Sequence, residues 1–166
     1  MKRLVPTAEM TLGPFFPREF AEGANDLASG LENAIEITGR VTELDGRPLD
    51  NVVLEIWQAD ASGRLDNPDF PGWGRTATDA RGEFLFRTVR PGAIPGRAPH
   101  VNFLLLYSGL MRQLQTVMFF EGSDDPVLGA VESSRRGLLV GRKIGPASYR
   151  FDIRLRGGEE TPFFDD

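Results

Sequence analysis

Two side chains in Arg97-Ala98-Pro99-His100-Val101-Asn102-Phe103 carry the sharpest chemical signal in the sequence. Residues i and i+2 of a strand project from one face, so His100 and Asn102 have the spacing of a two-ligand metal clip with an amide in place of one ligand. His100 is the only histidine in the chain. Other chemistries fall by elimination. With no cysteine, disulfides, thiolate metal sites and cysteine nucleophiles are excluded. A Ser-His-Asp triad would have to use His100, and no serine sits in a Gly-x-Ser-x-Gly elbow. Gly137-Leu138-Leu139-Val140-Gly141-Arg142-Lys143 has neither the spacing nor the following Ser or Thr of a phosphate cradle. The carboxylate pairs Asp124-Asp125 and Asp165-Asp166 fall in a loop and the tail, where they read as solvated surface. A net charge of −5 with interspersed signs gives no footprint for nucleic acid.

The elements that must position His100 are strands. Ala34–Val41 and Glu83–Val89 alternate apolar and polar residues, and Val52–Ala59 carries an aromatic, Trp57, towards its end. Asn67–Gly74 is too rich in proline and glycine for a helix and reads as a loop; the next strand region starts near Thr76. His100–Tyr107 and Gln113–Phe120 form a hairpin around Ser108-Gly109. Only Asp125–Glu132 reads as helical, with Asp at the cap and Pro in the first turn. Tyr149–Arg156 is a strictly alternating last strand. Strands so spaced, with few helices, predict an all-β fold, a two-layer β-sandwich with one or two short helices.

One domain fits 166 residues, divided into an N-terminal arm over residues 1–32 and a sandwich core over 33–166. The arm segment Thr11-Leu12-Gly13-Pro14-Phe15-Phe16-Pro17 resists regular structure yet is too apolar to lie free in water. It is expected to pack either on its own domain or on a neighbouring subunit. The first residues lack the apolar run of a secretory signal, and no segment approaches the roughly 20 apolar residues of a membrane span. A cytoplasmic protein without membrane contact is expected.

Several stretches together resemble the intradiol ring-cleaving dioxygenases: Leu54-Glu55-Ile56-Trp57-Gln58-Ala59-Asp60, Gly74-Arg75-Thr76-Ala77-Thr78-Asp79, Gly82–Gly92, Pro99-His100-Val101-Asn102 and Tyr149–Leu155. The opening Thr11-Leu12-Gly13-Pro14 and the ending Gly158–Asp165 extend the resemblance over nearly the whole chain, towards the alpha-type chain of members built from two homologous chains. It implies the sandwich of that family with an extended N-terminal arm. Catalytic chains of the family hold a non-haem ferric ion, Fe(III), with two tyrosines and two histidines; phenolate oxygens are hard anionic donors suited to Fe(III). The resemblance places His100 on the first histidine, Asn102 on the second, and Ile94 of Pro91-Gly92-Ala93-Ile94-Pro95 on one tyrosine. The other tyrosine belongs to a loop shortened here between Leu65 and Gly74. Tyr107 and Tyr149 are the only tyrosines, both in expected strands, so one copy of this chain cannot supply two tyrosines and two histidines.

The resemblance therefore implies a chain that binds no metal itself and has no catalytic residue. Its expected partner is a homologous iron-bearing beta subunit in a hetero-oligomer, and the expected substrate is a catechol. Substrate-binding residues expected from the arm are Thr11, Gly13 and Pro14, whose slim, rigid backbone can approach a planar ring. An arginine that faces the substrate in such alpha chains is replaced by Ser108. A carboxylated catechol needs a cation, since an unpaired buried carboxylate is costly, so Arg112 across the turn is the candidate, unless the beta chain supplies the charge or the substrate lacks the carboxylate. Arg97 resembles an arginine beside the iron and has no assigned role. Two rivals are a transthyretin-like or carboxypeptidase-regulatory-like binding module, which shares Asp45-Gly46-Arg47-Pro48 and Thr78-Asp79, and an enzyme of identical subunits using carboxylates around His100.

Overall fold

The computed structural model describes residues 23–110 and 112–164. Thr11, Gly13 and Pro14 lie outside these residues. Among the described residues, nine strands and two short helices follow in the order β1 (Ala34–Thr42), β2 (Val53–Trp57), β3 (Trp73–Ala77), β4 (Glu83–Val89), β5 (His100–Leu106), β6 (Leu114–Phe119), α1 (Pro126–Ala130), a 3-10 helix (Arg136–Leu139), β7 (Arg142–Gly145), β8 (Ser148–Arg150) and β9 (Ile153–Arg154). They form the expected two-layer sandwich. One sheet has the order β4-β1-β8-β7, with β9 also on β1, and the other β3-β2-β5-β6.

Alternation sets which residues fill the space between the sheets. Ile37 and Val41 of β1, Leu54 and Ile56 of β2, Phe84 and Phe86 of β4, and Val101, Phe103 and Leu105 of β5 all belong to one buried cluster. Phe103 is its hub. Its ring lies 6.0 Å from Phe84, 6.1 Å from Phe86 and 5.2 Å from Phe151, tying both sheets through aromatic contacts. Buried Gln58 fastens the sheets a second time: its amide donates to the carbonyls of Ala59 and Val89 and accepts from the Thr88 hydroxyl. Residues 24–27 close a side of the sandwich between the edge strands. The Arg75 N–H of β3 donates to the Ala24 carbonyl, while the Leu27 N–H donates to the Arg87 carbonyl of β4 and the Arg87 N–H donates to the Asn25 carbonyl.

Three boundaries differ from the sequence expectation. Trp73 and Gly74, read as loop, begin β3, because Leu27 packs where a side chain on Gly74 would stand: a Cβ there would come within 2.4 Å of the leucine. Arg136–Leu139 and Arg142–Gly145 form a 3-10 helix and a strand in a stretch with no periodic pattern of its own. The last strand divides into β8 and β9 around Phe151-Asp152 yet keeps one register on β1, Thr38 opposite Arg150 and Val41 opposite Ile153. Between them the Asp152 carboxylate, not a backbone carbonyl, accepts the Arg40 N–H at 3.0 Å.

Candidate functional site

The outer face of the second sheet carries both residues of the suspected clip. Val101, Phe103 and Leu105 of β5 point inward, so His100, Asn102 and Leu104 point outward, opposite Phe119, Val117 and Gln115 of β6. The two positions have different environments. A second small core of Val117, Phe119, Leu128 and Leu139 lies over β6, capped by α1 and the 3-10 helix, and its margin covers His100, which is 8% exposed. Its ring lies 6.0 Å from that of Phe119, and Nδ1 is 2.7 Å from the Ala98 carbonyl. Asn102, one step further from the small core, is exposed beside Trp57 on β2. Burial pushes the His100 pKa below its usual value, and the nearby Arg97 charge adds to this; the hydrogen bond to Ala98 and the Asp125 charge oppose it without prevailing.

Asp125 organises the approach to this face. It is the N-cap of α1, accepting from Val127 N–H at 2.8 Å. The same buried carboxylate accepts from Arg97 Nε at 2.8 Å and from Ala98 N–H at 2.9 Å. Burial alone would raise the Asp125 pKa, but the Arg97 hydrogen bond and the two backbone donors outweigh it and hold the carboxyl below its ordinary value. Arg97 thus has a partner that spacing did not reveal: the cap role of Asp125 is legible in Asp-Pro, whereas its pairing across 28 residues is tertiary.

The loops that would carry the family's tyrosines are also built without them. Asp60 accepts from Ser62 and Arg64 N–H, from the Ser62 hydroxyl and from the Asn67 amide. These bonds, the Arg64 backbone bond foremost, hold its pKa far below the usual carboxylate range. Gly63, at φ +86°, lies against the Ala93 carbonyl so closely that a Cβ would come within 2.1 Å. Ile94 then turns back through an Arg97 N–H bond of 2.9 Å. Tyr149 belongs to the main core, edge-on to Phe120 at 5.0 Å, on the other side of the second sheet from His100. Tyr107 follows the far end of β5, roughly 20 Å along the strand at ~3.3 Å per residue. Among the described residues no group of three or more His, Cys, Asp or Glu could hold a metal ion. One imidazole, one exposed amide and no phenolate do not fit a ferric ion of the family's type.

Ser108 and Arg112 flank one exposed turn at that same far end. Arg112 lines an open groove of about 460 Å³ with Arg135, Phe163 and Phe164. The structure therefore does not bring Arg112 to His100; it places the two at opposite ends of β5. A cluster missed in the sequence lies between them. Glu55, 7% exposed, accepts from both Arg75 and the Trp73 indole, and Trp57 packs on Trp73 at 6.1 Å while 52% exposed. Alternation of Glu55 with Leu54 and Ile56 could have placed it on the outer face. The pairing of β2 with β3 could not be read.

A sequence model of the family described as Dioxygenase matches residues 17–157. The chain belongs to the intradiol ring-cleaving dioxygenases. Intradiol dioxygenases use non-haem Fe(III), and catalysis in the family is an oxidation that incorporates O2. This member is 31% identical over 196 residues to the protocatechuate 3,4-dioxygenase alpha chain of Burkholderia cepacia, covering 99% of this chain and 100% of that one. The beta chain from the same organism is 35% identical over 180 residues, covering 91% and 76%. Among solved structures, the dioxygenase domain of a dioxygenase carbohydrate-binding protein fusion from Streptomyces sp. SirexAA-E matches with a TM-score of 0.65 and 27% identity, over 95% of this chain and all of that one.

Proposed function

We propose that this intradiol dioxygenase chain is the alpha, non-iron-binding subunit of a protocatechuate 3,4-dioxygenase or a close relative. It acts in a cytoplasmic hetero-oligomer with a homologous beta subunit that holds the Fe(III). The reaction cleaves a catechol between its hydroxyls, taking 3,4-dihydroxybenzoate and O2 to 3-carboxy-cis,cis-muconate, with one oxygen atom entering each new carboxyl group. The observation that carries this reading is the donor set around His100. Beside His100, Asn102, Ile94 and the loop after Leu65 offer neither a second imidazole nor a phenolate.

The chain's own contribution is positional. Thr11, Gly13 and Pro14 of the arm wall the partner's active site, and Arg112 meets the carboxylate of the ring from the turn after β5. Arg97 is held by Asp125, which makes it a clamp on the His100 segment. Co-expression with a homologous chain carrying two tyrosines and two histidines tests the assignment. The expected result is co-purification with about one iron per chain pair and O2 uptake with a catechol, while the alpha chain alone is colourless and inactive. A ferric ion with tyrosinate colour bound tightly to the isolated chain would overturn it. Failure of the two chains to associate would favour the binding-module alternative.

A further inference from the structure

The outer face of the first sheet carries a charge pattern with no place in that reading. β8 and β9 run beside β1 in one parallel register, and β7 lies against β8. That arrangement gathers Arg40, Arg142, Arg150, Arg154 and Arg156 along two adjoining hollows that share Arg150, Asp152, Arg154 and Glu159; the larger has a volume of about 510 Å³. The carboxylates lining them are Glu43, Asp152 and Glu159. Five guanidinium groups against three carboxylates give an excess of two positive charges on a chain whose net charge is −5.

The carboxylates are unevenly shared. Arg150 is bidentate to Asp152, at 2.9 and 3.2 Å, and Arg154 is bound by Glu159. Arg156 has only Glu43, at 3.9 Å. The Arg40 guanidinium donates to the Arg81 carbonyl at 2.7 Å and makes no ion pair among the described residues, though the Asp79 carboxylate outside the hollow lies near enough to feel its charge. Arg142 has no ion pair or hydrogen bond from its side chain among the described residues and stands directly opposite Arg150, a like-charge pairing that destabilises a sheet. The guanidinium groups of Arg40 and Arg156 thus line the larger hollow with no carboxylate closer than 3.9 Å, and Arg142 lines the smaller one that adjoins it; the larger is of a size that takes small ligands. Their planar forks match the paired oxygens of carboxylate and phosphate groups.

We propose that these adjoining hollows bind a small multivalent oxyanion, a polycarboxylate or a phosphate ester, through Arg40 and Arg156 in the larger and Arg142 in the smaller. One negative charge cannot span these three positions, so affinity requires at least two. Calorimetry on the full chain, alone or with its partner, tests this with citrate, pyrophosphate and acetate at about 20 mM ionic strength, where screening is weak. Citrate or pyrophosphate is expected to bind at least roughly tenfold more tightly than acetate, and to weaken at least roughly tenfold in the double variant Arg142→Gln/Arg156→Gln. Arg40→Gln supplies an independent variant with the same expected direction, and an unchanged urea midpoint verifies that each variant is folded. Preference for citrate assigns the site to carboxylates, and preference for pyrophosphate to phosphates. Equal binding of all three anions, no binding, or binding undiminished in both variants would overturn the proposal.

Discussion

At the scale of residues, the His100 segment is held by charge and burial in opposite senses. The folded imidazole binds its proton more weakly than the unfolded one, whose pKa is near 6.5. The unfolded chain therefore takes up a proton first as the solution is acidified, and stability falls from about pH 7 downward until the folded ring also titrates. His100→Gln should flatten that part of a urea-midpoint profile; an unchanged slope between about pH 5 and 7 would assign the loss elsewhere. Asp125 works at lower pH. Its folded pKa is depressed, so its contribution is complete above the unfolded value of 3.8 and is lost as pH falls through the folded one. Asp125→Ala removes a helix cap and leaves Arg97 without its carboxylate, and should cost about 3 kcal/mol in equilibrium unfolding at pH 7. The suspicion about position 102 was legible in residue types alone, since a count of histidines and tyrosines already denies a ferric ligand set. What residue types could not supply was the difference in burial between His100 and Asn102, because it depends on the Phe119 side of the small core lying against His100.

At the scale of elements, alternation was enough to place β1, β4 and β5 to within a residue or two, because each buries one face more than the other; β6, buried on both faces, was legible from its β-rich composition. The short pieces after α1 were not legible. A four-residue strand whose side chains are mostly exposed has no apolar period to read, and it exists because β8 offers it an edge. The split between β8 and β9 has a cause visible only in three dimensions. Gly39 leaves room for the Phe151 carbonyl and the Phe84 ring, to which a Cβ would come within 1.9 and 2.4 Å. Gly39→Ala should therefore lower stability by about 2 kcal/mol or more, the range of overpacked cores, as measured by urea denaturation. A neutral result would mean that β1 and the Phe151 segment separate without loss.

At the scale of the whole molecule, the two ends of β5 divide the labour. One end carries His100 packed on the small core with Asn102 exposed beside it, and the other carries the Ser108–Arg112 turn. If Arg112 faces the ring carboxylate in the assembled enzyme, Arg112→Gln should raise KM for 3,4-dihydroxybenzoate by roughly tenfold, the worth of one charge-assisted hydrogen bond, and leave an uncharged catechol unaffected. An equal change for both substrates would mean that the turn positions chains instead of substrate. The pairing of β1 with β8 and β9 has a further consequence, in time. More than a hundred residues separate Thr38 from the Arg150 it faces, so the first strand to leave the ribosome waits for the last before its sheet is complete. Until then one side of β1 has its backbone hydrogen-bonding groups unpaired. Closure over such a span is slow, and during synthesis the nascent chain is exposed to wrong pairing with other copies.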